Sequence, residues 1–203
     1  MEEYQVLTNL PEEYHFGNWD KKDVKAFGKW FMAEKDNRMQ MLFDEVHRDP
    51  DFVDWQPDFS PESLKMLSYW FERHIQAESM PEDEYQKLIA KYIVMAEYKN
   101  NWLTKKSKSL IFDVSIYFGE VLLKALRDRT WEQITKGSTR NYYYGCMVIP
   151  FIPPCPHKVV VNPWQLIRVL AAGVIYYNDF KKEGIYLRFM KTYESLNERL
   201  KSV

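Results

Sequence analysis

Four histidines, two cysteines and seven glycines are all that 203 residues hold of the residue types on which metal, redox and phosphate-loop chemistry most depends. The histidines stand at His15, His47, His74 and His157. None repeats at i, i+3 or i, i+4, so spacing assembles no zinc ligand set. Cys155-Pro156-His157 brings two soft ligands together, but the second pair that zinc needs is missing. Cys146 and Cys155 are too few for a disulfide framework and read as reduced thiols. No GxxxxGK[ST] or GxGxxG string occurs, no serine sits in GxSxG, and neither cysteine has a protease signature around it. The acid-rich stretch 49–58 lacks the central glycine and the twelfth-position glutamate of a calcium loop. The expectation is a chain with no metal, no cofactor and no catalytic residue.

Long apolar runs are also missing. The longest, Leu110 to Leu126, is interrupted by Asp113, Glu120 and Lys124, too many charges for a membrane span. The N-terminal MEEYQVLTNLPEEY lacks the basic start, apolar stretch and small-residue cleavage site of a secretory signal. A cytoplasmic location without membrane contact is expected.

What the chain does have is rings and charge. Aromatic residues make up 16%, hydrophobic residues 46% and charged residues 28%, enough apolar surface to exclude disorder. The net charge is −1, yet residues 1–100 carry 21 acids against 12 bases and residues 101–203 carry 8 acids against 16 bases. Either one half offers its sign to a partner, or the halves fold together and neutralise each other.

Periodicity predicts mainly helix. A first helix starts at Asp20, with Asp20 as cap and Val24, Phe27, Phe31, Met39, Leu42, Phe43 and Val46 at helical spacing. Residues 49–61 carry three prolines and no helical period. Ser60 then caps, Pro61 takes the first helical position, and Leu64, Leu67, Phe71 and Ile75 form an apolar face. Ser79 and Glu82 frame a capping box before Tyr85, Leu88, Ile89, Tyr92, Ile93 and Ala96. A polar turn over 99–109 leads into a helix apolar almost all round, and therefore central. Trp131–Thr135 and Tyr142–Ile149 read as a hairpin closed by KGSTRN, and residues 158–161 as a short strand. Asn162 and Pro163 start a further helix, and a last one runs from about Gly184. The predicted fold is α+β and mainly α: one domain over 1–203, with about six helices and a small antiparallel sheet inserted near 131–161.

One constellation carries polar chemistry into the apolar helix. Asp113, Tyr117 and Glu120 share a helical face, with Lys124 a turn beyond. Buried carboxylates need partners and acquire raised pKa values, so this face could serve a general acid. The structural alternative has Glu120 paired with Lys124, or bonded to a Trp or Tyr of the hairpin. Gly119, which costs about 1 kcal/mol against Ala in a helix, implies close packing of a neighbour.

Tyr117-Phe118-Gly119-Glu120, followed by Trp131 and then Asn162-Pro163, resembles the Y-x-G-E…W pattern of small bacterial proteins of unassigned function. Some of these are similar to the immunity proteins encoded beside polymorphic toxins. Asp58-Phe59-Ser60 leading into Ser63-Leu64 adds to the likeness, which covers about residues 58–175. The resemblance implies no catalytic residues. It implies a folding signature in which Glu120 locks helix to hairpin.

The remaining feature is a surface. From Asp44 to Glu62 the chain holds seven acids against Arg48 alone. Asp49, Asp51, Asp54 and Asp58 interleave with Phe52, Trp55 and Phe59, so field and rings together would suit a basic protein partner. Against that, such aromatics also plug cores from connecting loops. Nucleic acid is disfavoured. Lys105, Lys106, Lys108, Arg127, Arg129, Lys136 and Arg140 could form a basic face with Tyr142, Tyr143 and Tyr144, but the net charge is near zero and no recognition motif appears. The expectation is a non-enzymatic, immunity-type inhibitor that masks a basic partner. The alternatives are an enzyme using Glu120 with Asp113 or Tyr117, and a phage- or mobile-element-encoded inhibitor of a host system. The aromatic excess equally suits a homodimer interface.

Overall fold

One apolar helix organises the chain. The computed structural model describes residues 3–11, 16–79, 81–91, 101–127, 129–151, 159–177 and 183–201. In chain order the helices are α1 (Lys21–His47), α2 (Ser63–His74), α3 (Glu82–Lys91), α4 (Lys105–Leu126), α5 (Pro163–Tyr177) and α6 (Gly184–Lys201). Strands β1 (Ala77–Ser79) and β2 (Asn101–Leu103) pair antiparallel. Strands β3 (Glu132–Gln133), β4 (Met147–Phe151) and β5 (Val159–Val161) form an antiparallel sheet in that order. The fold is α+β and mainly α, with about the helix count and the inserted sheet that periodicity predicts.

Thr104 starts α4 by accepting a hydrogen bond from the Ser107 N–H at 3.1 Å, as a cap must where four backbone N–H groups lack partners. From Ser109 to Gly119 every residue is buried, so α4 shows no solvent face over three turns. Helices α1, α2, α5 and α6 all pack on it. The core continues without a break from Tyr4 to Leu196.

Several local starts are as expected and several are not. Asn162 accepts from the Gln165 N–H at 3.1 Å to begin α5. Ser60 accepts from the Ser63 N–H at 3.2 Å, but α2 itself begins only at Ser63, so Pro61 lies in the preceding turn and not at the first helical position expected of it. Asp20 precedes α1, but its side chain makes no capping bond. Ser79 closes β1, and α3 is started instead by the Pro81 carbonyl, which accepts from Glu84 and Tyr85. Tyr92, Ile93 and Ala96 lie outside the described residues, as do Cys155 and His157. The expected polar turn at 99–109 holds β2 and the first turn of α4. The hairpin is shorter than expected: Glu132 faces Val148 and Gln133 faces Met147, while Tyr142 to Cys146 form a turn. Gly145, at φ 82°, lets the Phe16 ring lie against it.

Two glycines set the approach of the sheet. A Cβ on Gly119 would stand 2.1 Å from the Trp131 ring, and one on Gly28 would stand 2.3 Å from Gln133 Oε1. Through the second gap Gln133 Nε2 reaches the Val24 carbonyl at 2.6 Å and the Gly145 carbonyl at 3.1 Å. Gly119→Ala should therefore destabilise by about 1–3 kcal/mol through overpacking, despite a helix-propensity gain of about 1 kcal/mol. Gly173→Ala on α5, where nothing lies within 4 Å of the new Cβ, should gain up to about 1 kcal/mol. Urea denaturation of both variants checks the contrast.

Candidate functional site

Asp113, Tyr117 and Glu120 do share a face of α4, but the fold gives each a different partner. Asp113 is completely buried and takes a bidentate pair from Arg38 of α1, with Nε to Oδ1 at 2.8 Å and Nη2 to Oδ2 at 2.6 Å. The Tyr4 hydroxyl donates to the same carboxylate. Arg38 Nη1 donates to the Gln5 carbonyl at 2.8 Å. Burial pushes Asp113 up to about 6, against the pull of the Arg38 and Tyr4 hydrogen bonds. Burial opposes the Arg38 charge, but Asp113 and Tyr4 outweigh it and raise Arg38 above its ordinary value. Burial and then the Asp113 charge raise the Tyr4 hydroxyl too, so it stays a donor.

One turn on, the Tyr117 hydroxyl shares a hydrogen bond with Ser63 Oγ at 2.7 Å and accepts from the Phe59 N–H at 3.2 Å. Burial raises its pKa. Phe43, Trp55 and Phe59 surround its ring at centroid distances of 5.7, 5.4 and 5.1 Å. At Glu120, Trp131 Nε1 donates to Oε1 at 2.9 Å and Lys35 Nζ stands 3.1 Å from the same oxygen. The Lys124 pairing does not form. Lys124 instead donates to the Asp58 carbonyl at 2.7 Å. Glu120 thus ties helix to sheet, and Gly119 makes room for the ring that does so. No acid–base pair assembles, because the three polar side chains point to three different parts of the chain.

The acidic loop also divides into two sets. Phe52 and Trp55 are buried, and Phe59 is half-buried against the core. Trp55 Nε1 donates to the Ser63 carbonyl at 2.9 Å, and the Trp55 carbonyl meets His47 Nε2 at 2.7 Å. These rings anchor the loop to the core rather than standing on its outside. Phe59 stands at φ 57°, a conformation costing about 1–3 kcal/mol for a bulky residue. Tyr117 holds it there. Asp49 accepts from the Asp51 N–H at 3.0 Å and faces His74 at 3.4 Å. Asp58 accepts from the Ser60 N–H at 2.8 Å, and its bonds to Ser60 hold its carboxyl below the ordinary value. Asp51, Asp54, Asp58 and Glu62 are exposed. Asp51 makes a surface pair with Arg73 at 2.8 Å, the kind worth about 0–1 kcal/mol.

The charge asymmetry survives folding in part. Lys106 of the basic half pairs with Glu45 of the acidic half. The Arg38–Asp113 and Lys35–Glu120 pairs run the other way and consume bases of the acidic half.

Sequence reading missed the Tyr4–Arg38–Asp113 cluster, whose members lie up to 109 positions apart. The only local signal was an arginine at position 38 among the apolar positions of α1. Also missed was Glu72, on the wall of a cavity of about 470 Å³ between α2, α5 and α6. Its Oε2 is buried with no partner among the described residues, and burial pushes the carboxyl up to about 7. The Cys146 thiol is buried and pushed up to about 11, an inert state. Among the described residues no group of three His, Cys, Asp or Glu could hold a metal, and no helix is long and apolar enough to cross a membrane. No family model, curated protein or solved structure matches this chain.

Arg38→Met should destabilise by about 3–5 kcal/mol, because it leaves the Asp113 carboxylate buried without its counter-ion. Arg38→Met with Asp113→Leu should recover most of the loss, as read from denaturation midpoints. Glu72 has a different signature. Its folded value lies above its unfolded one, so its contribution is fully present below about pH 4.5 and is lost as pH rises through 7. Glu72→Gln should therefore gain on the parent protein in melting temperature between pH 5 and pH 8.

Proposed function

We propose that the chain is a non-enzymatic, protein-binding module of the toxin-immunity type, working in the cytoplasm, which masks a basic protein partner with the loop between α1 and α2. The observation that carries this reading is the division of that loop into a buried half and an exposed half. Trp55, Phe59, Asp49 and Asp58 hold one backbone conformation, and Asp51, Asp54, Asp58 and Glu62 stand on its outside. A loop already ordered in the free protein loses little entropy on binding, so its charges convert efficiently into association rate and specificity. The buried rings change the picture of the contact: recognition is electrostatic, with Val53, 57% exposed, the apolar group on the same loop. Glu120, held by Trp131 and Lys35, offers no support for the enzyme alternative.

The test is co-purification of the tagged full chain from its native lysate at low and high salt. The comparison is Asp51→Lys/Asp54→Lys/Glu62→Lys, which spares Asp58 because it braces the loop. A basic protein bound in stoichiometric amount is expected, released by salt, with affinity reduced at least about tenfold in the triple variant, or about 1.4 kcal/mol. Equal retention by a correctly folded triple variant would remove the proposed surface.

A further inference from the structure

At the opposite end of α1 lies a groove of about 760 Å³ that the binding loop does not touch. The groove runs along α1 only as far as Trp30, so about 25 Å of helix, from Trp30 to His47, separates the two. Its volume is within the range of small-molecule sites. Residues 6–10 form one wall. The other carries Trp19, Phe27 and Trp30 with Asp20 and Asp23. The rings are held from behind: Trp30 stacks on Phe112 at 5.8 Å, Trp19 meets Phe16 edge-on at 5.2 Å, and Phe27 stacks on Trp164 at 6.3 Å. The two carboxylates are the only charged groups on the described walls. Lys21, Lys22 and Lys25 occupy the same turns of α1 but do not line the groove.

Asp20 is the informative residue. It sits where an aspartate ordinarily caps a helix, yet its carboxylate makes no capping bond. Asp23, one turn on, likewise has no hydrogen-bond or ion-pair partner among the described residues. The positive end of α1 offsets about half a charge, so two carboxylates leave the groove negative. Ring faces attract cations, and aromatic walls with nearby acids are how proteins hold quaternary ammonium groups. Asn9 and Asn18 add polar atoms for orientation.

We infer that this groove is a binding site for a small organic cation, an ammonium or guanidinium on a compact body, seated against Trp19 and Trp30 and neutralised by Asp20 and Asp23. The assignment is independent of the proposed masking function. Choline and agmatine are the probes, and the neutral choline isostere 3,3-dimethylbutan-1-ol is the control. They are titrated into the full chain while the indole N–H resonances of Trp19 and Trp30 are followed by NMR.

Both cations should shift these two resonances saturably, and choline should bind at least about fivefold tighter than the alcohol. Asp20→Ser/Asp23→Gln, which keeps a capping residue type at the helix start, should remove that preference and leave alcohol binding unchanged. Equal binding of choline and its isostere would overturn the assignment, as would absence of a saturable shift or an unaffected double variant. A blocked Gly-Arg-Gly peptide binding tighter than agmatine would overturn it in favour of a contact for a protein side chain.

Discussion

The pairing of Arg38 with Asp113 is the constraint around which the remaining contacts are arranged. An isolated carboxylate at full burial would cost many kcal/mol, so α4 could not bury that face without a counter-charge delivered at bidentate geometry. Arg38 delivers it from α1, which sets the rotation of α1 against α4. The same guanidinium holds the Gln5 carbonyl, and Asp113 holds the Tyr4 hydroxyl, so the N-terminal arm is drawn into the core. Leu7 adds a bond from its N–H to Ser109 Oγ at 2.8 Å. One buried pair thus orders three segments distant in sequence.

The next two polar positions of the face repeat the device. Tyr117 fixes the loop between α1 and α2, and Glu120 fixes the small sheet through Trp131. Asp113, Tyr117 and Glu120 are each satisfied by a different set of groups from surrounding segments, which makes the helix a register for the chain around it. This use leaves none of the three available for chemistry. What the register positions is a braced acidic loop at one end of α1 and an aromatic groove at the other. The strain at Phe59 fits that division, because Tyr117 and Ser63 supply the contacts that sustain it.

How legible this was in the sequence depended on range. Capping at Asn162, the all-round apolarity of α4 and the close approach implied by Gly119 are local properties and could be read directly. The burial of Phe52 and Trp55 could not. An aromatic between acids suits an exposed anchor or a core plug equally well, and the choice depends on whether a partner ring such as Phe43 or Tyr117 stands opposite. The Ser79 capping box failed for a related reason: residues 77–79 found strand partners at 101–103, and pairing across that distance overrode a local preference. At Glu120 the i, i+4 neighbour Lys124 was the obvious local partner, yet Lys35 and Trp131 displaced it once α1 and the sheet had closed over the helix.

The sequence by itself determined the class of fold, the position of the central helix and the separation of acidic from basic halves, since these follow from composition and from periods of a few residues. It determined as well that polar groups at 113, 117 and 120 would need partners. Only the tertiary structure decided which partners those were, that the loop rings face inward, and that Asp20 leaves its helix uncapped beside Trp19 and Trp30. The reason is physical. Propensity and amphipathicity act between near neighbours, whereas satisfying a buried charge or seating a ring depends on groups brought together only when the chain closes on itself.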